Sequence, residues 1–172
     1  ASSKDKNFNY IPKEFDVPQN ASFLHYTSNN TIFGTQFKEL PNSDLRLVCD
    51  MSSDIMTQEI DIKKFDLIYA GAQKNLGPAG VTLVIVKKDA LGKTGRLIPS
   101  MLNYQVHIEK ESMFNTPPCF SIYTTMLTME WLKELGGVQE IKKRNLAKSN
   151  LLYQEIDRNS LFEGTARTED RS

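Results

Sequence analysis

Four short apolar runs, each closed by polar or small residues, dominate the first half of the chain and predict β-strands. They cover residues 22–26, 44–50, 65–71 and 81–86. The first run leads into a Ser-Asn-Asn-Thr turn that ends at Thr31, and the second run ends on Asp50. The fourth run is almost continuous in β-branched residues, which predicts a strand buried on both faces of a sheet. Residues 1–21 are polar and interrupted by prolines, as is typical of a connecting segment.

The apolar period changes to three and four residues after Pro117, which predicts helices in the second half of the chain. The first helix is predicted to end at Gly136 and Gly137, and the second to cover residues 138–157. The apolar positions of the first helix are Phe120, Tyr123, Leu127, Trp131 and Leu135. We expect four aromatic side chains to pack in the core rather than to stack on a ligand: Tyr69, Phe114, Tyr123 and Trp131.

This order of elements predicts an α/β fold with a mixed, mostly parallel sheet and flanking helices. Sheets of this kind bind ligands where the carboxyl ends of the strands and the following loops gather. The candidate binding residues are therefore Thr31, Asp50 and the residues of the loop after Gly71.

The charge balance argues against two broad classes of partner. The 172 residues include 21 basic and 21 acidic side chains, so no general attraction to nucleic acid or anionic lipid is expected. No apolar run reaches the roughly 18 residues of a membrane span. The two cysteines, Cys49 and Cys119, lack metal-ligand spacing, and they are typical of a reducing cytoplasm. The polar ends of the chain lead us to expect one piece of a longer protein.

The loop at residues 70–80 places Lys74 among glycines and alanines, between two predicted strands. Small neighbours let a flat ligand approach the backbone, and a partly desolvated lysine can act as an amine nucleophile. A solvated turn lysine fits the same pattern. Asp50 fits the carboxylate that pairs with the ring nitrogen of pyridoxal phosphate opposite a Schiff-base lysine. It fits a helix N-cap equally well, because Met-Ser-Ser follows it.

Three sequence blocks resemble the phosphoserine aminotransferase family of class V, fold-type I pyridoxal-phosphate enzymes. They are residues 48–53 (VCDMSS), 69–75 (YAGAQKN) and 114–118 (FNTPP). The resemblance extends from about Phe23 to Asp157, and chains of this family are about twice as long. It implies that residues 1–137 are the C-terminal part of the cofactor-binding large domain. Residues 138–172 would then be a long connecting helix and the start of a small C-terminal domain.

The resemblance also implies a role for each candidate residue. Lys74 would form the internal aldimine with pyridoxal 5′-phosphate and then move the proton between the substrate α-carbon and the cofactor. Asp50 would hold the pyridinium nitrogen. Thr31 would hydrogen-bond the cofactor at its ring oxygen, and Gln73 would contact the cofactor phosphate. The ring-stacking tryptophan and the substrate-binding arginine of the family are expected outside this chain, and no metal is implied.

Asn115 and Thr116 carry the implied quaternary structure. By resemblance they would reach the phosphate of the neighbouring subunit's cofactor, so that the enzyme would be a homodimer with shared active sites. On local sequence alone, the Asn-Thr-Pro-Pro run is also typical of a helix start, where Asn or Thr caps the helix and proline follows.

The implied reaction transfers the amino group of glutamate to 3-phosphooxypyruvate and gives O-phospho-L-serine and 2-oxoglutarate, in serine biosynthesis. A second reaction in pyridoxine biosynthesis stays open. Another class V enzyme, such as a serine–glyoxylate-type transaminase or a cysteine desulfurase, is an alternative, although the desulfurase has histidine where Gln73 stands. A non-catalytic α/β binding module is the second alternative. A nucleotide-binding fold is disfavoured, because neither glycine-rich nucleotide motif is present.

Overall fold

The computed structural model describes residues 1–172, in which six strands and three α-helices form one arrangement around a central sheet. The strands are β1 (Leu24–Thr27), β2 (Asn29–Asn30), β3 (Thr35–Gln36), β4 (Leu47–Asp50), β5 (Leu67–Gly71) and β6 (Thr82–Val86). The helices are α1 (Tyr104–Glu109), α2 (Cys119–Glu134) and α3 (Gly137–Arg158). Short 3-10 turns occupy Lys4–Lys6, Ile62–Lys64, Lys88–Ala90, Ser100–Leu102 and Thr168–Asp170. The predicted strands and both long helices are confirmed within a few residues.

The central sheet has the strand order β1-β4-β5-β6. Strands β1, β4 and β5 are parallel, and β6 pairs with β5 in the antiparallel direction. The predicted mixed, mostly parallel sheet is therefore confirmed. Because the three parallel strands run the same way, their carboxyl ends meet at one edge of the sheet, and the loops that follow them lie together.

One face of this sheet forms the hydrophobic core. Alternate residues along the strands are buried there, and the paired positions Tyr26, Cys49 and Ile68 lie side by side across the sheet. The loops after β4 and β5 complete the core with Met51, Ile55, Ala72 and Leu76. The intervening residues therefore point to the opposite face, which includes His25, Thr27, Val48, Asp50 and Tyr69.

The prediction that residues 81–86 form a strand buried on both faces is wrong. Strand β6 lies at the edge of the sheet, and its side chains are half-buried or, at Thr82, exposed. Leu83 and Ile85 pack against the core, while Val84 and Val86 lie on the opposite face. A continuous apolar run indicates that both faces of the strand are suited to burial. In these 172 residues, other side chains pack against only one face of β6.

The expectation that four aromatic residues pack in the core is also wrong. Phe114, Tyr123 and Trp131 are exposed, and Tyr69 is half-buried on the face of the sheet opposite the core. Only Leu132 of α2 is buried. The helical period correctly located α2, but a period shows which face requires burial and not which element buries it.

The two ends of the chain contact each other beside β3. The backbone N–H of Arg167 donates to the carbonyl of Asn9 at 2.8 Å, and that of Ser172 donates to Gly34 at 2.9 Å. Residues 1–21 carry only the 3-10 turn Lys4–Lys6, as a connecting segment should. None of the helices is both long and apolar enough to cross a membrane.

Candidate active site

The carboxyl ends of β1, β4 and β5 bring three predicted site segments to one edge of the sheet. Thr27 is paired in register with Asp50, and Asp50 is paired with Tyr69. The loop after β1 carries Thr31, and the loop after β5 carries Lys74. The sheet topology therefore brings Thr31, Asp50 and Lys74 to the same edge of the sheet, as the sequence predicted.

Thr31 and Lys74 meet directly, although they are 43 residues apart in sequence. The Lys74 Nζ donates a hydrogen bond to Thr31 Oγ1 at 2.9 Å. Both residues are exposed, so the partial desolvation expected for Lys74 is not supplied by these residues alone. The contact holds the amine next to a neutral hydroxyl, which leaves it without a carboxylate partner that would occupy it as an ion pair.

The turn that carries Lys74 is anchored on both sides of the lysine. Ala72 and Leu76 are buried, and the N–H groups of Leu76 and Gly77 both donate to the Ala72 carbonyl, at 3.1 and 2.8 Å. The side-chain amide of Asn75 donates to the Ile55 carbonyl at 2.5 Å. The backbone at Lys74 is therefore fixed, while its four-carbon side chain extends toward solvent.

The turn that carries Thr31 is anchored to the loop after Asp50. Ser28 Oγ lies 3.1 Å from the Asp50 carbonyl and also donates to the carboxylate of Asp54. Ser53 Oγ donates to the Asn29 carbonyl at 2.8 Å. Asp54 is buried, and burial raises the pKa of its carboxyl group, an effect that the Ser28 hydrogen bond opposes. The loops after β1 and β4 are thus joined by side-chain hydrogen bonds.

Asp50 is held within its own loop through one carboxylate oxygen. Its Oδ1 accepts the N–H of Ser52 at 2.8 Å, and Ser52 Oγ in turn accepts the N–H of Gly71 at 3.0 Å. Turns rather than a helix follow Asp50, so the prediction that Asp50 caps a helix is wrong. Its side chain nevertheless accepts a backbone N–H two residues later, as an N-cap residue would. The two oxygens of a carboxylate can accept about four hydrogen bonds, so Asp50 retains acceptor capacity for a ligand.

Two residues at this edge were missed by the sequence analysis. His25 Nε2 and the Tyr69 hydroxyl are 3.0 Å apart, and their rings stack with centroids 6.0 Å apart. The pKa of Tyr69 is raised, first by partial burial and then by the negative charge of Asp50 and a hydrogen bond to it. Strand alternation places His25 on the face of Thr27, but the sequence does not reveal that β1 pairs with β4, which brings the two rings together.

Gln73 lies beside Lys74 and is exposed. Its amide folds back over Gly71, where an added Cβ would lie 2.5 Å from Oε1 and 2.9 Å from Nε2. A side chain at position 71 would therefore displace Gln73. No hydrogen bond connects Gln73 to Thr31, Asp50 or Lys74.

Asn115 and Thr116 lie outside this cluster. Both are exposed, and the Asn115 amide donates only to the neighbouring Thr116 carbonyl, at 3.3 Å. Helix α2 begins at Cys119, and the residue at its N-cap is Pro118, with no side-chain hydrogen bond. The interpretation of Asn115 or Thr116 as a helix cap is therefore wrong, and both side chains remain available for other contacts.

A cavity of about 520 Å³ opens beside the Thr31–Lys74 pair. This volume is within the range of small-molecule sites. Its wall also includes His25, Tyr10 and Phe15. Asp50 is not among the residues that line it.

Comparison with known proteins assigns this arrangement to a family. The sequence profile described as aminotransferase class-V matches residues 4–172. The chain belongs to the class-V aminotransferase family. The family expected from the blocks around Asp50, Lys74 and Asn115 is thus confirmed.

Individual class-V relatives are similar over the whole of the chain. A phosphoserine aminotransferase of Flavobacterium psychrophilum is 64% identical over 172 residues, which are 100% of this chain and 48% of the relative. A solved phosphoserine aminotransferase, studied for radiation damage of its Schiff base, is 45% identical with a TM-score of 0.94, over 99% of this chain and 48% of that one. The pyridoxal-phosphate-bound phosphoserine aminotransferase of Trichomonas vaginalis is 33% identical with a TM-score of 0.88, over 92% and 44%. The chain therefore spans about half the length of these class-V aminotransferases.

Proposed function

We propose that this chain belongs to a pyridoxal-phosphate-dependent phosphoserine aminotransferase. The enzyme transfers the amino group of glutamate to 3-phosphooxypyruvate and releases O-phospho-L-serine and 2-oxoglutarate. The observation that carries the proposal is the contact of Lys74 Nζ with Thr31 Oγ1 at the strand edge that also presents Asp50. The 64% identity to a relative of that name supports the choice of substrates.

The residues present fit pyridoxal phosphate group by group. The cofactor offers an aldehyde, a ring oxygen, a ring nitrogen and a phosphate. The chain offers a primary amine at Lys74, a hydroxyl at Thr31 and a carboxylate with unused acceptor capacity at Asp50. When bound, the cofactor supplies an electron-withdrawing ring that makes the α-proton of an amino acid acidic. The bound cofactor of the Trichomonas vaginalis relative supports this assignment.

Each of these three residues has a distinct task in the proposed enzyme. Lys74 would hold the cofactor covalently through Nζ and, once released by the substrate amine, would move the proton between the substrate α-carbon and the cofactor. Thr31, which accepts a hydrogen bond from Nζ in this structure, would hydrogen-bond the cofactor at its ring oxygen. Asp50 keeps the ring nitrogen protonated, because a carboxylate favours the charged form of a neighbouring cation. Gln73, which directly precedes Lys74, would contact the phosphate.

The substrate assignment is tested with the full-length protein that contains these residues. Incubation with glutamate and 3-phosphooxypyruvate should give O-phosphoserine, measured by mass spectrometry, and 2-oxoglutarate, measured by a coupled dehydrogenase assay. An assay with glyoxylate as the acceptor tests the serine–glyoxylate-type alternative, and an assay of sulfide release from cysteine tests the desulfurase alternative. Faster turnover with either of these than with 3-phosphooxypyruvate would overturn the substrate assignment. A protein that binds no cofactor would instead support the non-catalytic module.

We further propose a homodimer in which Asn115 and Thr116 contact the phosphate of the partner's cofactor. The support is that both side chains are exposed and that neither caps α2. In a longer, cytoplasmic protein, residues 1–137 form part of the large domain, and residues 138–172 begin the connection to the small domain. The free Cys49 and Cys119 fit a reducing compartment.

The shared site predicts complementation between two inactive variants. One variant carries Lys74→Ala, and the other carries Asn115→Ala with Thr116→Ala. Mixed dimers restore one intact site, because its lysine and its phosphate contacts come from different subunits. Each mixed dimer contains one intact site out of two, so the purified mixed dimer should have about half of the parent's activity.

The complementation is measured after co-expression with two affinity tags and purification of the mixed dimer. A control pair, Lys74→Ala with Asp50→Ala, should give no recovery, because both changes fall in the same subunit's contribution to a site. Equal recovery in both pairs, or none in either, would contradict a site shared through residues 115 and 116.

A further inference from the structure

We propose that Tyr69 and His25 are positioning residues for Asp50, which they hold toward the cofactor's ring nitrogen through a chain of hydrogen bonds. This inference rests on the proposed function, because it assigns Asp50 to that nitrogen. It adds two residues from two further strands to the site.

The sheet places the three residues on one face. Asp50 and Tyr69 are register partners on the adjacent strands β4 and β5. His25 lies on β1, on the other side of β4, and is paired with Val48, two residues before Asp50. The hydrogen bond between His25 and Tyr69, at 3.0 Å, therefore passes over β4 immediately before the aspartate.

The available donors and acceptors fix the direction of the chain. A carboxylate only accepts, so a hydrogen bond between Tyr69 and Asp50 must use the single proton of the tyrosine hydroxyl. The Tyr69 oxygen then accepts from His25, which requires the proton on Nε2. The raised pKa of Tyr69, caused by partial burial and then by Asp50, keeps that hydroxyl protonated and able to donate.

The chain compensates for an anchor that is otherwise incomplete. Within its own loop, Asp50 is held by the Ser52 N–H at 2.8 Å, and this contact engages one oxygen. A carboxylate held at a single oxygen can rotate and pair with water instead of with a ligand. In the proposed chain the Tyr69 hydroxyl, on the register partner of Asp50, donates a second, lateral contact, and the 3.0 Å contact with His25 restrains the tyrosine ring. Both rings lie flat beside each other, with 18° between their planes, which favours one orientation.

A double-mutant cycle tests whether Tyr69 acts through Asp50. The apo form of the full-length protein is titrated with pyridoxal 5′-phosphate, and the dissociation constant is measured by absorbance for four proteins: the parent, Tyr69→Phe, Asp50→Ala and the double variant. We expect Tyr69→Phe to weaken binding about tenfold in the parent, in line with loss of one hydrogen bond to a charged group. In the Asp50→Ala background the same change should weaken binding less than twofold.

The controls distinguish failure of the positioning role from failure of the proposed function. Tyr123→Phe, at an exposed tyrosine of α2, should leave the dissociation constant unchanged. His25→Gln, which retains a donor, should weaken binding less than His25→Ala, and this pair answers the question if Tyr69→Phe fails to fold. A tenfold loss from Tyr69→Phe in both backgrounds, or no loss in the parent, would overturn the positioning role. Failure of the parent to bind the cofactor would instead overturn the proposed function.

Discussion

Replacing Lys74 with alanine is expected to abolish the covalent attachment of pyridoxal phosphate. In the parent, borohydride should fix the cofactor to the peptide that contains Lys74, because the anchored turn presents Nζ at the strand edge beside Thr31. In the variant no fixed adduct should form, and transamination should fall by at least about 10²–10⁴-fold from loss of the proton-transfer group alone. Peptide mass spectrometry after reduction and a coupled transaminase assay measure the two effects.

The matched control is Lys93→Ala, which removes an exposed lysine from the loop after the 3-10 turn Lys88–Ala90. It should retain both the adduct and the activity of the parent. An adduct that persists in Lys74→Ala, on any other lysine, would show that the wrong amine has been assigned. Partial rescue of the variant by added methylamine would show that the missing group is a base.

Replacing Asp50 with asparagine is expected to have the second-largest effect. The change preserves size and the contact with the Ser52 N–H, but it removes the negative charge that keeps the ring nitrogen protonated. Loss of a charge-assisted pair of this kind costs roughly 3 kcal/mol, so turnover should fall about 100-fold. Steady-state kinetics of the full-length protein, with cofactor content checked by absorbance, measure it.

Asp44→Asn serves as the comparison, because Asp44 is an exposed aspartate just before β4. It should behave like the parent. If Asp50→Asn retained more than half of the parent's turnover at full cofactor occupancy, Asp50 would not be the partner of the ring nitrogen. The role of Asp50 would then be limited to accepting the hydrogen bond from the Ser52 N–H in the local turn.

The sequence was sufficient to predict where the candidate site lies, because strand ends and turn residues are local features. The Ser-Asn-Asn-Thr turn, the acid that closes β4 and the small-residue loop around Lys74 could each be identified separately. Their convergence then followed from a general property of parallel strands. The contact between Thr31 and Lys74 confirms that convergence for two of the three segments.

The sequence could not predict the order of the strands in the sheet, or which residues would bury the apolar faces of β6 and α2. β1 pairs with β4 although β2 and β3 intervene, and only this pairing brings His25 to Tyr69. The apolar faces of β6 and α2 were recognised, but the chain contains nothing that buries Val84 or Trp131. Periodicity therefore overestimated the core, since it assumes that every apolar face has a partner within the same segment.

The hydroxyls of Ser28 and Ser53 cross-link the turn before Thr31 to the stretch after Asp50. For protein engineering, the two stretches therefore form one unit that should be exchanged together. A chimera that exchanges residues 28–36 with a homologue should tolerate the swap only when residues 52–57 are exchanged with them. Directed evolution of new acceptors would accordingly gain more from libraries that vary both stretches together than from scanning either one.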